Sequence, residues 1–508
     1  MSTSTSLNAA RRSADLAALE AGPRVDVLVV GGGVTGAGVA LDAVSRGLST
    51  VLVERHDLAF GTSRWSSKLV HGGLRYLARG QIGIAYESAR ERDVLMRVTA
   101  PHLVRPLPMV VPVHRDLAGP MGGLLARAGM GLGDVLRRLA GTPDSVLPRP
   151  RLLDARRTRR LLPGVDPEGL LGGVLSFDGQ LIDDARLVLA LARTAAGLGT
   201  RVITRCSAEN VTADGVVLRD EITGRLVPLR PRAVVNATGV HADHLDPGIR
   251  LSPSRGSHLV LDGAVLGHPK VALTVPVEGG AARFVFALPQ PDGRIFLGLT
   301  DEPVEGPAPR IPEVPAQDVD FLLEQVNRAL RVPLRREDVI GAFAGLRPLL
   351  HGDGVSSDLS REHSVTVAPN GMVTVVGGKL TTYRAMAEKA VDTVVDRHRM
   401  PAGPCRTRSL PLVGAASREG LDALAAPRRL VARYGTEALA VLAEADDDPT
   451  LSEPIAAGVT GAELRFGVRH EGALDVDDLL ARRTRIALVD EDRAKAEKAA
   501  EEALAASV

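Results

Sequence analysis

The sequence predicts an α/β fold: a helix-covered parallel sheet interleaved with a second, mixed sheet, followed by a helical C-terminal domain. Three observations predict it. A strand, a glycine turn and a helix follow one another from Val25. Two more strand–glycine turns recur far downstream, at 236–239 and 377–382. After Pro404 the apolar pattern changes to helical spacing.

The first unit begins with the apolar run Val27-Leu28-Val29-Val30, which reads as a buried strand. Gly31, Gly33 and Gly36 then fit G-x-G-x-x-G, the Rossmann-like fingerprint. The first glycine allows a tight turn, the second lets backbone approach a pyrophosphate, and the third lets helix pack on strand. The helix N-terminus offers N–H groups and a dipole that favour the diphosphate. Leu48–Val53 reads as the second strand, and Glu54 at its end is placed to accept both hydroxyls of an adenosine ribose. The alternative is a glycine-rich turn that binds nothing.

The dinucleotide expected is FAD rather than NAD, because no repeating series of strand–helix units follows. The loop at 61–77 offers hydroxyls and paired glycines, Thr62, Ser63, Ser66, Ser67, Gly72 and Gly73, to line a long cofactor. Val234-Val235-Asn236 leads into Ala237-Thr238-Gly239, a turn able to close over the adenine half. Val375-Val376-Gly377 leads into Gly378-Lys379-Leu380-Thr381-Thr382, where a helix N-terminus could face the flavin N1/O2 edge.

These wide intervals require the chain to leave the nucleotide fold and return. The domains expected are a flexible tail at 1–23, an FAD-binding domain interleaved with a mixed-sheet substrate domain at 24–405, and a helical domain at 406–508. Leu107–Val113, Ser257–Asp262, Phe284–Ala287 and Arg294–Leu297 read as substrate-domain strands, and Leu187–Leu198 as a helix. Ser417–Leu424, Arg428–Leu442, Ala462–Glu471 and Val476–Leu488 read as helices of the last domain.

Composition sets limits. The 508 residues suffice for a large core, and a net charge of +1 implies no bulk attraction to nucleic acid. Cys206 and Cys405 match no disulfide framework or metal motif and read as buried apolar thiols. No secretory signal and no apolar run of about 20 residues is visible, as expected for a cytoplasmic enzyme. Lysine is scarce beside arginine, so Lys68 and Lys379, both inside proposed flavin loops, read as chosen for chemistry.

Three motifs resemble one family, the FAD-dependent, quinone-linked glycerol-3-phosphate dehydrogenases. They are Ser66-Ser67-Lys68-Leu69-Val70-His71-Gly72-Gly73-Leu74-Arg75-Tyr76, Gly345-Leu346-Arg347-Pro348-Leu349, and Gly377-Gly378-Lys379-Leu380-Thr381-Thr382-Tyr383. Shorter echoes are Arg255-Gly256-Ser257-His258, Gly298-Leu299-Thr300-Asp301 and Arg482-Arg483-Thr484-Arg485. Trp65 and Leu299 depart from the pattern. The resemblance spans roughly residues 24–490 and implies a glycine/D-amino-acid-oxidase-like fold. It also implies oxidation of glycerol 3-phosphate to dihydroxyacetone phosphate by hydride transfer to FAD, with electrons passed to a membrane quinone.

Within that resemblance, Arg347 and Arg361 would bind the phosphate, with Arg361 expected across a hairpin from Arg347. Planar, multidentate arginine suits a phosphate dianion. Arg75 and Tyr76 could close the site, and Thr300 could bond the substrate or simply end a strand. His258 is the favoured proton acceptor, with Lys379, or a water held by both, as rival; neutral imidazole suits that task near physiological pH. His71 reads as a packing residue of the flavin loop. Other readings are a 2-hydroxy acid flavin dehydrogenase or amine oxidase, an oxidase that uses dioxygen, and an inactive flavin-binding sensor.

A quinone acceptor requires contact with the bilayer. Residues 122–139 read as an interfacial amphipathic helix, with Leu125, Leu132, Val135, Leu136 and Leu139 toward one side and Arg127, Arg137 and Arg138 available to anionic head groups. The expected partners are therefore glycerol 3-phosphate, a quinone and the inner face of the cell membrane, with a homodimer as the assembly considered and no metal.

Overall fold

A computed structural model describes residues 4–73, 81–115, 131–277, 283–351 and 363–506. Near the start of the chain the structure corrects the expectation of a flexible tail. Helix α1 (Ala9–Glu20) is capped by the Asn8 side chain, which accepts the Arg11 N–H, and it buries Arg12, Leu16 and Leu19. Arg12 Nε donates to the Thr204 carbonyl at 2.7 Å, and its guanidinium pairs with Asp220. These anchors come from residues about two hundred positions away, so no local pattern shows them.

The nucleotide sheet has six strands, in the order His363–Val367, Val373–Gly377, Ala233–Asn236, β1 (Val27–Val30), β2 (Thr50–Val53) and Arg201–Ile203. Five run parallel, and His363–Val367 lies antiparallel at one edge. β1 and β2 are buried along their whole length, as expected of parallel strands covered on both faces. Helix α2 (Val34–Ser45), Asp184–Gly197 and Tyr383–His398 contribute to the core on one face. A three-stranded sheet and α1 help to cover the other.

The substrate domain is built on a ten-stranded mixed sheet. All four expected strands lie in it, as Val104–His114, Ser254–Asp262, Phe284–Pro289 and Arg294–Gly298. The interleaving is visible in chain order. The chain leaves the nucleotide sheet after Val53, returns at Arg201, leaves again after Asn236 and returns at His363. The expected hairpin between Arg347 and the following strand does not form. Val339–Arg347 pairs with Ser254–Asp262 in the substrate sheet, whereas His363–Val367 pairs with Val373–Gly377 in the other.

The C-terminal domain is helical but more broken than its periodicity suggests. Arg428–Leu442 divides into Arg428–Tyr434 and Ala438–Ala443, because Gly435 has φ +59° and its Cα lies against the Gly414 backbone. Val476–Leu488 is a π-helical turn at Asp478–Arg483 followed by a 3-10 turn at Ile486–Leu488. The final helix, Asp490–Ala505, was not legible; it is charged along most of its length and buries Ala496 and Ala500. Cys206 is buried among apolar side chains as expected. Cys405 is not: it is half-buried, with Sγ 3.0 Å from Asp42 Oδ1 and 3.2 Å from Thr407 Oγ1.

Candidate active site

The glycine turns converge because each lacks a Cβ where backbone must pass. Gly31 has φ +113°, and a Cβ there would lie 2.6 Å from the Ala237 carbonyl oxygen, so the first and second motifs touch. A Cβ on Gly36 would lie 1.8 Å from the Gly31 oxygen. Gly33 caps α2, and the next N–H, that of Val34, donates to Ser63 Oγ at 2.9 Å. Glu54 accepts the Gly32 N–H at 2.6 Å and the His56 N–H at 2.8 Å, which fixes its carboxylate at the end of β2. Asn236 Oδ1 accepts both the N–H and the hydroxyl of Thr238, shaping the turn that ends at Gly239. Gly377 and Gly378 both have positive φ, and a Cβ on Gly378 would lie 2.4 Å from Met386 Sδ. Lys379 then caps the Leu380–Thr382 turn, in which Thr381 and Thr382 are buried.

The loop after Gly61 is only partly as expected. The Thr62 hydroxyl donates to the Leu346 carbonyl at 2.7 Å, which ties the loop to the Arg347 strand. Ser66 is held from behind by Asp184, which accepts its N–H and its hydroxyl, at 2.9 and 2.7 Å. Lys68 is likewise an internal residue, with Nζ 3.1 Å from Asp184; burial outweighs that carboxylate and brings its pKa down to about 8. The Gly72 N–H donates to Asp178, which also takes Arg92 Nη1 at 2.6 Å, and Gly73 has φ +79°.

Ser67 makes the link to chemistry. Its hydroxyl lies 2.8 Å from His258 Nε2. The His258 ring is fully buried and stacks on Phe343 at 4.8 Å. Its Nδ1 has no hydrogen-bond partner among the described residues. Burial, then the charges of Lys68 and Arg347, push the imidazole pKa down to about 3, so it is neutral at physiological pH. Arg347 Nη1 donates to Ser254 Oγ at 3.1 Å and Asp301 Oδ1 at 3.0 Å, and Nη2 to the Thr300 carbonyl at 2.9 Å. The guanidinium is thus held flat against the strand at Gly256, where a Cβ would lie 2.3 Å from Nη2. The Thr300 hydroxyl accepts the Ser257 N–H at 2.9 Å and donates to Asp318 at 3.2 Å, the strand-ending role rather than a substrate contact. Lys379 Nζ donates to Ser88 Oγ at 3.0 Å, on the Ile82–Val94 helix.

Arg75, Tyr76 and Arg361 lie outside the described residues. Sequence reasoning missed Asp184, Asp301, Phe343, Ser254 and Ser88. Of these, Asp301 stood inside a quoted motif and Ser254 beside one, but all are distant in sequence from the residues they hold.

Residues 26–384 match the family model for FAD dependent oxidoreductases, and residues 405–506 match the C-terminal domain of alpha-glycerophosphate oxidase. Glycerol-3-phosphate dehydrogenase 1 of Mycobacterium tuberculosis is 53% identical, over 99% of each chain. The chain belongs to the FAD-dependent glycerol-3-phosphate dehydrogenase family. Another relative is the mitochondrial glycerol-3-phosphate dehydrogenase of Mesocricetus auratus, 35% identical over 97% of this chain and 71% of that one. The crystal structure of the glycerol-3-phosphate dehydrogenase from Bacillus halodurans complexed with FAD superposes with a TM-score of 0.76 at 28% identity, covering 98% of this chain and 93% of that chain. The cofactor of the family, FAD, fits the residues present. The glycine cradle at Gly31, Gly33 and Gly36 leaves backbone room for a pyrophosphate, and Glu54, fixed at the end of β2, would hold the ribose end.

Among the described residues, no helix of this dehydrogenase is long and apolar enough to cross a membrane. Residues 116–130 lie outside the described set, and 131–139 are helical. In that helix Leu132, Val135 and Leu139 are exposed, whereas Leu136 packs inward on Ala85 and Ala89. Arg137 also turns inward, pairing with Asp134 at 2.8 Å and Asp144 at 2.7 Å, so it is not offered to head groups.

Proposed function

We propose that this chain oxidises sn-glycerol 3-phosphate to dihydroxyacetone phosphate and delivers the electrons to a quinone from the inner face of the cell membrane. The observation that carries the substrate is near-full-length identity of 53% to a curated glycerol-3-phosphate dehydrogenase. FAD, when bound, supplies the hydride acceptor. In this reading Arg347 and Arg361 hold the phosphate, and Arg75 and Tyr76 close the site. Arg347 is fixed before substrate arrives, because Asp301, Ser254 and the Thr300 carbonyl orient its guanidinium. His258 takes the C2 hydroxyl proton at Nδ1, the nitrogen opposite the Ser67 contact. Its basicity is low because the ring is buried and Lys68 and Arg347 stand nearby. A bound phosphate dianion offsets those charges and raises it, which couples proton removal to substrate binding. Lys379, steadied by Ser88, orients the substrate beside the flavin loop.

The membrane reading rests on a cluster of exposed apolar side chains. Leu132, Val135 and Leu139 on one helix, and Ile82 and Tyr86 on the helix packed against it, are exposed together. A second reading, transfer of electrons to dioxygen, is favoured by the C-terminal match to an alpha-glycerophosphate oxidase domain. Anaerobic mixing with glycerol 3-phosphate should bleach the flavin absorbance, and a soluble quinone should restore it. Bleaching by 2-hydroxy acids but not by glycerol 3-phosphate would refute the substrate. Reoxidation by air with stoichiometric hydrogen peroxide, and none by quinone, would favour the oxidase. Co-sedimentation with anionic liposomes that survives Leu132→Glu with Leu139→Glu would remove this face from the membrane contact.

A further inference from the structure

Where the flavin loop meets the C-terminal domain, buried positive charge outnumbers its carboxylate partners. Asp57 accepts Arg482 Nε at 2.5 Å and Arg483 at 2.6 and 2.9 Å. Asp478 takes Arg482 and also Arg205, the latter at 2.8 Å. Lys68 has Asp184. Two further arginines have no carboxylate partner among the described residues. Arg64 is 3% exposed, its side chain makes no hydrogen bond or ion pair among the described residues, and its Nε is buried without a partner. Arg485 is 7% exposed; it donates to the Ala481 and Arg64 carbonyls, and its Nε also lacks a partner. Between them lies Trp65, with Arg64 4.2 Å and Arg485 5.3 Å from its ring, and its indole N–H is buried and unpartnered too. Three orphaned N–H donors, two of them cationic, therefore lie on three residues in mutual contact.

We propose that a chloride-sized anion binds between Arg64 and Arg485 against the Trp65 N–H. Ring faces and carbonyls soften a buried guanidinium but do not neutralise it. Water would satisfy the donors and leave both charges uncompensated. An anion does both, and a compact halide suits N–H donors on side chains as buried as Arg64 and Arg485. Electrostatics agree: burial, then Arg482 and Arg485, bring the Arg64 pKa down to about 9, a repulsion that an anion relieves. The consequence reaches the active site by contact. Trp65 stacks on Phe343 at 5.7 Å, and Phe343 stacks on His258. The anion ties the loop that carries Ser67 to the Arg485 turn, and so holds the surroundings of His258.

Trp65 is the single tryptophan of the chain, so its fluorescence reports on the site directly. The flavin-loaded enzyme, dialysed into sodium gluconate, is titrated with sodium bromide at constant ionic strength. The expected result is a saturable quench that chloride competes away, together with a saturable rise in Tm with chloride. Both are lost in Arg64→Met and Arg485→Met. Trp65→Phe, which keeps the ring and removes the N–H, shifts the chloride midpoint of the Tm rise upward. Quenching that is linear in bromide and equal in the parent and both arginine variants overturns the proposal. Saturation by sulfate or phosphate but not by halide overturns the size assignment. If Arg64→Met does not fold, the other two variants carry the test.

Discussion

Gly36→Ala isolates the contact on which the cofactor cradle depends. The added methyl would stand 1.8 Å from the Gly31 oxygen, 3.0 Å from its carbonyl carbon and 3.4 Å from the Ala237 Cβ. Real Cβ contacts stay beyond 3.0 Å, so α2 has to withdraw from the glycine turn by more than an ångström. That motion carries the Val34 N–H away from Ser63 and the helix N-terminus away from the pyrophosphate position. Overpacking of this kind costs about 1–3 kcal/mol. At about 1.4 kcal/mol per decade, FAD affinity should fall about tenfold to a hundredfold. The assay is flavin titration of deflavinated protein, followed by fluorescence, with the flavin-to-chain ratio of the purified variant as a second readout. Gly83→Ala is the control: it lies near the start of the Ile82–Val94 helix, and its Cβ would meet nothing within 4 Å. Gly36→Ala protein that binds FAD as tightly as the parent would refute the close-packing argument.

Other perturbations test other parts. Asp57→Asn leaves Arg482 and Arg483 buried with weaker partners, so the seam with the C-terminal domain should lose about 3–5 kcal/mol, read by calorimetry. Arg347→Lys cannot reproduce the fork held by Asp301 and the Thr300 carbonyl, and kcat/KM for glycerol 3-phosphate should fall about tenfold to a hundredfold in steady-state assays. Burial, then Arg186, holds the His102 pKa near 3 against an ordinary 6.5. Between those values the unfolded chain binds the extra proton, so stability falls as pH drops through that window, by about 1.4 kcal/mol per pH unit per proton. His102→Gln should flatten the slope in denaturant titrations at pH 4–6.

Much of the site was legible because its signals are local. Gly31, Gly33, Gly36 and Glu54 follow from one strand–turn–helix unit, and Gly378 and Lys379 from another. His258 and Arg347 stood inside motifs, and the structure brings them to neighbouring strands. The partner that Ser66 and Lys68 share, Asp184, was not legible because it is more than a hundred residues away. The same distance hid the docking of α1, whose Arg12 is satisfied by Thr204 and Asp220.

The sequence by itself determined the glycine turns, the alternating strands and the chemistry carried within short motifs, since backbone reach and side-chain period act over a few residues. Only the tertiary structure decided which charges neutralise one another. It gave Lys68 to Asp184, Arg347 to Asp301 and Arg483 to Asp57, and among the described residues left Arg64 and Arg485 without a carboxylate. The physical reason is that a charge leaving water must find its partner in space, and no spacing along the chain specifies which distant element will supply it.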